Sequence, residues 1–315
     1  MAKRNWLGIG AGVAAVGAGL ALFSQWQGRR AEAAVPPDGR FVDVGGARLH
    51  YVDIGEGPAI VMVHGLGGQL RNFTYALADR LPNHRLIIID RPRSGYSSAP
   101  KGVEPGIKEQ ADLIAGAIDA LGLKRPLLVG HSLGGAVSLS LALDHPGLVS
   151  ALALIAPLTQ PQLEVPAAFK RLAANGASRA SRYVFANLIG VPLGTLTGPV
   201  TLKQVFAPEP APDDFGTRGG GALTLRPGNL SAALFEMSVA SAEMETITPR
   251  YGELQLPVSI LFAREDHVLD HATHGEKTVA EITGARLELT DGGHMLPVTQ
   301  PELTAAFIER ARLAR

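Results

Sequence analysis

From residue 40 onward the apolar and polar positions of the chain follow two rhythms in turn. Residues 40–44 and 48–54 alternate around Gly45-Gly46, the pattern of a hairpin with a tight glycine turn. Residues 59–63 are an unbroken apolar run, as a strand buried on both faces requires. Similar runs follow at 85–90, 126–129, 151–155, 258–262 and 286–289. Between them apolar residues recur at helical spacing over 72–81, 106–121, 133–144, 271–282 and 301–313. An antiparallel start followed by strands alternating with helices predicts an α/β fold: a mostly parallel eight-stranded sheet with helices on both faces.

One interval breaks the rhythm. Residues 157–250 contain no strong strand run and are rich in Ala, Leu, Arg, Gly and Pro. Helices are expected at 167–188 and 229–245, giving a helical cap inserted after the sixth strand. The run Gly219-Gly220-Gly221 and the proline-rich 208–212 mark its irregular parts. The core is thus expected in two pieces, 35–156 and 251–315.

The N-terminus follows different rules. Lys3 and Arg4 precede an uncharged stretch from Trp6 to Phe23, which Arg29 and Arg30 follow. As a helix this stretch spans about 27 Å, enough for a bilayer core. Residues 1–34 are therefore expected to be a membrane anchor, with the Lys3–Arg4 cluster inside and the catalytic domain outside the cytoplasm. The alternative is a signal segment cleaved near Ala31-Glu32-Ala33, leaving a secreted or periplasmic protein. Against cleavage, the apolar run is long, and the small-residue site lies beyond two arginines. A short proline-containing linker, 33–39, leads into the domain.

Composition narrows the choice of function. Lys and Arg total 29 and Asp and Glu total 29, so nothing electrostatic points to nucleic acid. The absence of cysteine excludes disulfides, cysteine metal sites and a cysteine nucleophile together.

The chemistry starts at Gly130-His131-Ser132-Leu133-Gly134. It follows an apolar strand run and opens a helical pattern, the context in which a sharp turn presents a serine hydroxyl at the edge of a sheet. A serine needs an imidazole base, and the imidazole a carboxylate. His294, in Asp291-Gly-Gly-His294, follows the last strand and so lies at the same carboxyl edge. His50, His84 and His145 sit in the hairpin or at loop ends, and His267, His271 and His274 read as solvated surface residues. The carboxylate is expected after the seventh strand: Asp266, with Asp270 as the fallback and Glu265 one residue early. The loop His64-Gly65-Leu66-Gly67-Gly68 follows the third strand, so the backbone amides of Leu66 and Leu133 are expected to form an oxyanion hole, with His64 bracing the loop.

Together, His64-Gly65, Asp90-Arg91-Pro92 with Gly95-Tyr96-Ser97, the 130–135 elbow, Asp266 and Gly293-His294 resemble the α/β-hydrolase superfamily over residues 40–314. More narrowly they resemble its capped branch of esterases, haloperoxidase-like enzymes and C–C hydrolases. The resemblance implies Ser132 as nucleophile, His294 as base, Asp266 as its partner, and no metal or organic cofactor. One departure is Arg93, where the family usually carries glycine; it puts the local loop in question. Epoxide hydrolases and haloalkane dehalogenases differ by an aspartate nucleophile, and proline iminopeptidases by their oxyanion loop. The expected activity is acyl transfer on a small-molecule ester with an apolar group. The alternatives are a C–C hydrolase of ring-cleavage products and a ligand-binding protein without turnover.

Overall fold

The computed structural model describes residues 2–161 and 178–313. The apolar runs become β1 (Arg40–Val44), β2 (Ala47–Ile54), β3 (Ala59–Val63), β4 (Arg85–Ile89), β5 (Leu127–His131), β6 (Ala151–Ile155), β7 (Val258–Ala263) and β8 (Arg286–Thr290). They form one sheet in the order β1-β2-β4-β3-β5-β6-β7-β8. The first two strands pair antiparallel, β2 meets β4 antiparallel, and all other neighbours are parallel.

Strand pleating sorts the core into two layers. Val61, Val63, Ile87 and Ile89 face helices Ile107–Ala120 and Leu133–Asp144. With Ala2–Ala34 as α1, these two are α2 and α3. Ile60, Met62, Leu86 and Ile88 face the opposite way, toward Phe73, Leu77 and the final helix, Pro301–Leu313. Burying a side chain such as Phe307 or Ile308 there contributes about 1.5–3 kcal/mol.

Between β6 and β7 lie two long helices, α4 (Arg179–Phe206) and α5 (Pro227–Ile247); the final helix is then α6. They make the helical cap inserted after strand 6. Part of the expected helix 167–188 lies outside the described residues. Helix α4 continues well beyond 188, although Gly190, Pro192, Gly194, Gly198 and Pro199 are poor helix formers. Contacts with α1 override that local propensity. The expected helix at 72–81 is instead a turn of helix, Arg71–Thr74, and a separate tight turn, Ala78–Arg80. Residues 271–282 divide similarly, into a wide turn, Ala272–Glu276, and a short helix, Lys277–Glu281.

The apolar stretch Trp6–Phe23 falls on α1, whose carboxyl-terminal part is packed into the molecule. Ser24 Oγ donates to Asn187 O at 2.6 Å, Gln25 Nε2 to Asn187 Oδ1 at 2.6 Å, and Gln27 Nε2 to Thr195 Oγ1 at 3.2 Å. Glu32 pairs with Arg226 at 2.8 Å. The small-residue stretch 31–33 is helical, and Ala31 is buried with Val35 and Leu223. Among the described residues, the helix long and apolar enough to cross a membrane is α4, in the middle of the chain and not at its start. Sequence patterning did not single it out, since the helix expected there ends at 188.

Candidate active site

Ser132 sits on the turn between β5 and α3 with φ +54° and ψ −123°, outside the ordinary allowed regions for a residue with a side chain. The turn is held from both sides: Ser132 N donates to Ile155 O at 3.1 Å, and its carbonyl accepts from Gly135 and Leu158. The flanking glycines are required by contact. A Cβ on Gly130 would stand 2.6 Å from Gly134 O, and one on Gly134 would stand 2.1 Å from Val63 O. The helix therefore starts directly against β3, with its free amide end toward the serine.

The loop after β3 crosses in front of this turn. A Cβ on Gly65 would lie 2.8 Å from Ser132 Cβ, which fixes how near the loop runs. Among the described residues the amides of Leu66 and Leu133 donate to no backbone acceptor. They are the donors from which the expected oxyanion hole would be built. His64 braces the loop from beneath: its Nδ1 donates to Gly65 O at 2.9 Å, and its Nε2 accepts from Arg91 N at 2.9 Å. Burial, with Arg91 beside it, holds this imidazole neutral, well below its ordinary pKa.

After β8, Gly292 takes φ +108°, and a Cβ on Gly293 would meet Ala207 O at 2.0 Å. These glycines bring His294 under the end of α4. His294 Nδ1 lies 2.7 Å from Asp266 Oδ2, with the two side chains 5% and 1% exposed. Asp266 Oδ1 also accepts from the amides of Val268 and Leu269, at 2.8 and 3.0 Å. Burial pushes this carboxyl up, but His294 and the two amides outweigh it and leave the pKa below its ordinary value.

The competing acids have other tasks. Glu265 accepts from Gly292 N at 2.6 Å and pins the histidine loop. Asp270 caps the turn that follows it, accepting from Ala272 and Thr273. The hydrogen bonds among the described residues do not include one between Ser132 Oγ and His294. The two loops meet instead through His131, whose Nε2 donates to His294 O at 3.0 Å, with the rings 4.9 Å apart. Such serine–base bonds often close only around substrate.

Two features went unread in the sequence, and a third, Arg93, was marked there only as a departure. His274, expected at the surface, is buried; its Nδ1 accepts from the amides of Thr159 and Gln160, and burial lowers its pKa to about 4. Arg91 is fully buried, and its guanidinium donates to His64 O (2.8 Å), Gly65 O (2.9 Å) and Gln110, and bidentately to Glu236 of α5 at 2.8 and 3.1 Å. This charge pair ties the loop after β3 to the cap across 145 positions of sequence, which no local pattern could signal. Arg93 adopts φ +65°, so the glycine-like conformation survives, with the side chain on Glu104 at 2.6 Å.

A family model described as the alpha/beta hydrolase fold matches residues 58–301, and the chain belongs to that family. Two curated relatives are hydrolases. The 2-hydroxy-6-oxo-2,4-heptadienoate hydrolase of Pseudomonas putida is 35% identical over 120 residues, covering 37% of this chain and 44% of that protein. The 2-hydroxy-6-oxo-6-phenylhexa-2,4-dienoate hydrolase of Comamonas testosteroni is 26% identical over 76% of this chain and 82% of its own. The first three relatives are matched over less than half of their own length. Among solved structures, a membrane phospholipase A described as a bacterial virulence factor superposes with a TM-score of 0.65 at 22% identity. The alignment covers 99% of this chain and all of that one, a likeness of fold.

Proposed function

We propose that the chain is a serine hydrolase of carboxylic esters carrying an apolar group, acting through an acyl-enzyme. The reading rests on one observation: a strained serine at a strand-to-helix turn shares a sheet edge with a buried histidine–aspartate pair. In this scheme Ser132 attacks the ester carbonyl while His294 accepts its proton. The amides of Leu66 and Leu133 hold the oxyanion, and Asp266 keeps the imidazole oriented. His294 then protonates the departing alcohol and activates the water that frees Ser132.

Hydrolysis of a p-nitrophenyl ester series from acetate to palmitate, with Ser132→Ala alongside, tests it. The variant should lose turnover by roughly 10⁶-fold while melting like the parent. An unchanged rate would overturn the assignment. The relatives' names favour a second reading, C–C hydrolysis of ring-cleavage products, which a preference for vinylogous diketones over every ester would reveal. A non-catalytic ligand-binding role is weaker and predicts no turnover on either.

Two further readings belong here. Residues 157–250, of which 162–177 lie outside the described residues, are assigned as the lid between core segments 35–156 and 251–315. Residues 1–34 attach the protein to a membrane and stay on the mature chain. The second is favoured by the packing of Ser24, Gln27 and Ala31, which cleavage at 33 would remove.

A further inference from the structure

Helices α2 and α3 hide their large apolar side chains, but α1 and α4 expose many of theirs. Along α4 the apolar residues Ile189 (51% exposed), Leu193 (52%), Leu196 (80%) and Val200 (60%) are spaced four, three and four apart, so they form one stripe. On α1, Leu22, Phe23 and Trp26 are exposed where the helix leaves the fold. Hydrogen bonds cross between the two helices, from Ser24 to Asn187 and from Gln27 to Thr195, beside the buried Val191, and Gly28 packs closely on Pro227 of α5. Interhelical hydrogen bonds and small residues inside, with apolar residues outside, is how helices pack when the solvent is lipid.

The polar groups that do face outward fit the same medium. Thr197 and Thr201 turn their hydroxyls back onto the carbonyls of Leu193 and Thr197, as Thr195 at the α1 seam does onto Val191, so α4 satisfies its own hydroxyls. Residues 12–31 and 178–206 contain no Asp or Glu. Of their five cations, Arg29, Arg30, Arg179 and Lys203 are exposed and Arg182 is paired with Glu104, while Arg30 lies 5.6 Å from the Trp26 ring. An aromatic residue beside basic ones at the end of an apolar segment is what anchors a helix at an anionic membrane surface.

We infer that the exposed faces of α1 and α4 form one docking surface for an anionic lipid bilayer, with the cap lying in the interface and the amino edge of the sheet facing water. The inference rests on the proposed membrane attachment of residues 1–34, and goes beyond it by placing the cap itself in lipid. Because α4 ends where Ala207 touches the His294 loop, the docked face leads to the site.

The chain has no cysteine, so single labels can be placed cleanly. The full-length Leu196→Cys variant, carrying an environment-sensitive fluorophore, is added to phosphatidylcholine–phosphatidylglycerol vesicles with and without brominated lipid. Lys124→Cys, in the exposed loop before β5, is the control at the amino edge. Label 196 should shift to the blue, with emission falling roughly twofold with brominated chains, as for a face buried at the acyl boundary. Label 124 should not change. Vesicle binding with label 196 still in water overturns the inference while leaving the anchor intact. Failure to bind vesicles overturns both. A blue shift without bromine quenching means that a second copy of the chain, not lipid, covers the stripe, and also overturns it.

Discussion

The carboxyl edge of the sheet and the α1–α4 helix pair are built on opposite principles. At the edge, apolar strands are buried on both faces, and the loops that leave them are held by dense polar contacts within a low-dielectric surround. His64, His131 and Asp266 are each held there in one protonation state. In the helix pair hydrogen-bonded polar groups lie inside beside Val191, and an apolar stripe is outside. One set of side-chain preferences thus serves two solvents. Burial by itself does not identify a core; what is buried, and beside what, does. Arg91 and Glu236 join the loop after β3 to α5 of the cap, so the two cannot move independently without separating a buried charge pair.

The edge half of this contrast is broken most severely at its carboxylate. Asp266→Asn keeps the shape but loses the acceptor that orients His294, and kcat on a soluble ester should fall about 10⁴-fold with the melting temperature little changed. A loss of less than tenfold would mean that His294 does not depend on Asp266.

The join is tested next. Glu236→Leu leaves Arg91 buried without its carboxylate, and stability should fall by about 3–5 kcal/mol in urea unfolding. Arg91→Met combined with Glu236→Leu should recover much of that loss, because removing both charges removes the desolvation penalty. If the double variant is no better than the single, the pair is not the unit described.

The smallest effect comes from pH. His131 is fully buried, and burial, with His294 close by, lowers its pKa to about 3. The native histidine stays neutral while the unfolded one takes a proton below about 6.5, so this group costs stability as pH falls from there toward 3. At pH 5 the cost is about 2 kcal/mol, and His131→Gln should flatten the urea midpoint between pH 7 and 5. His274, lowered to about 4 by burial, adds a slope of the same sign that the variant keeps.

Much of the edge was legible in the chain because its information is local. Two alternating segments and six apolar runs marked eight strands, and the Gly-x-Ser-x-Gly spacing marked a turn too tight for any Cβ at Gly130 or Gly134. Chain order alone put Asp266 and His294 on loops at the edge that Ser132 occupies, and the structure joins the first two at 2.7 Å. Position in the loop already ranked Asp266 over Asp270 and Glu265, and the amides those two accept from show their separate tasks.

The rest was decided by contacts between distant residues. No local rule distinguishes the buried Arg91 from a surface arginine; Glu236 does so from 145 residues away. Arg93 keeps a positive φ that sequence would give to glycine, because Glu104 is placed to hold its side chain. Gly190, Pro192, Gly194 and Pro199 argue against a helix in isolation, yet α4 forms because α1 supplies polar partners along it. The sequence by itself determined where strands, elbow and candidate triad lie, since periodicity and steric demand act over a few residues. Only the tertiary structure decided which apolar helix faces outward and which charges are buried, because exposure and dielectric belong to the assembled surroundings and not to the residue.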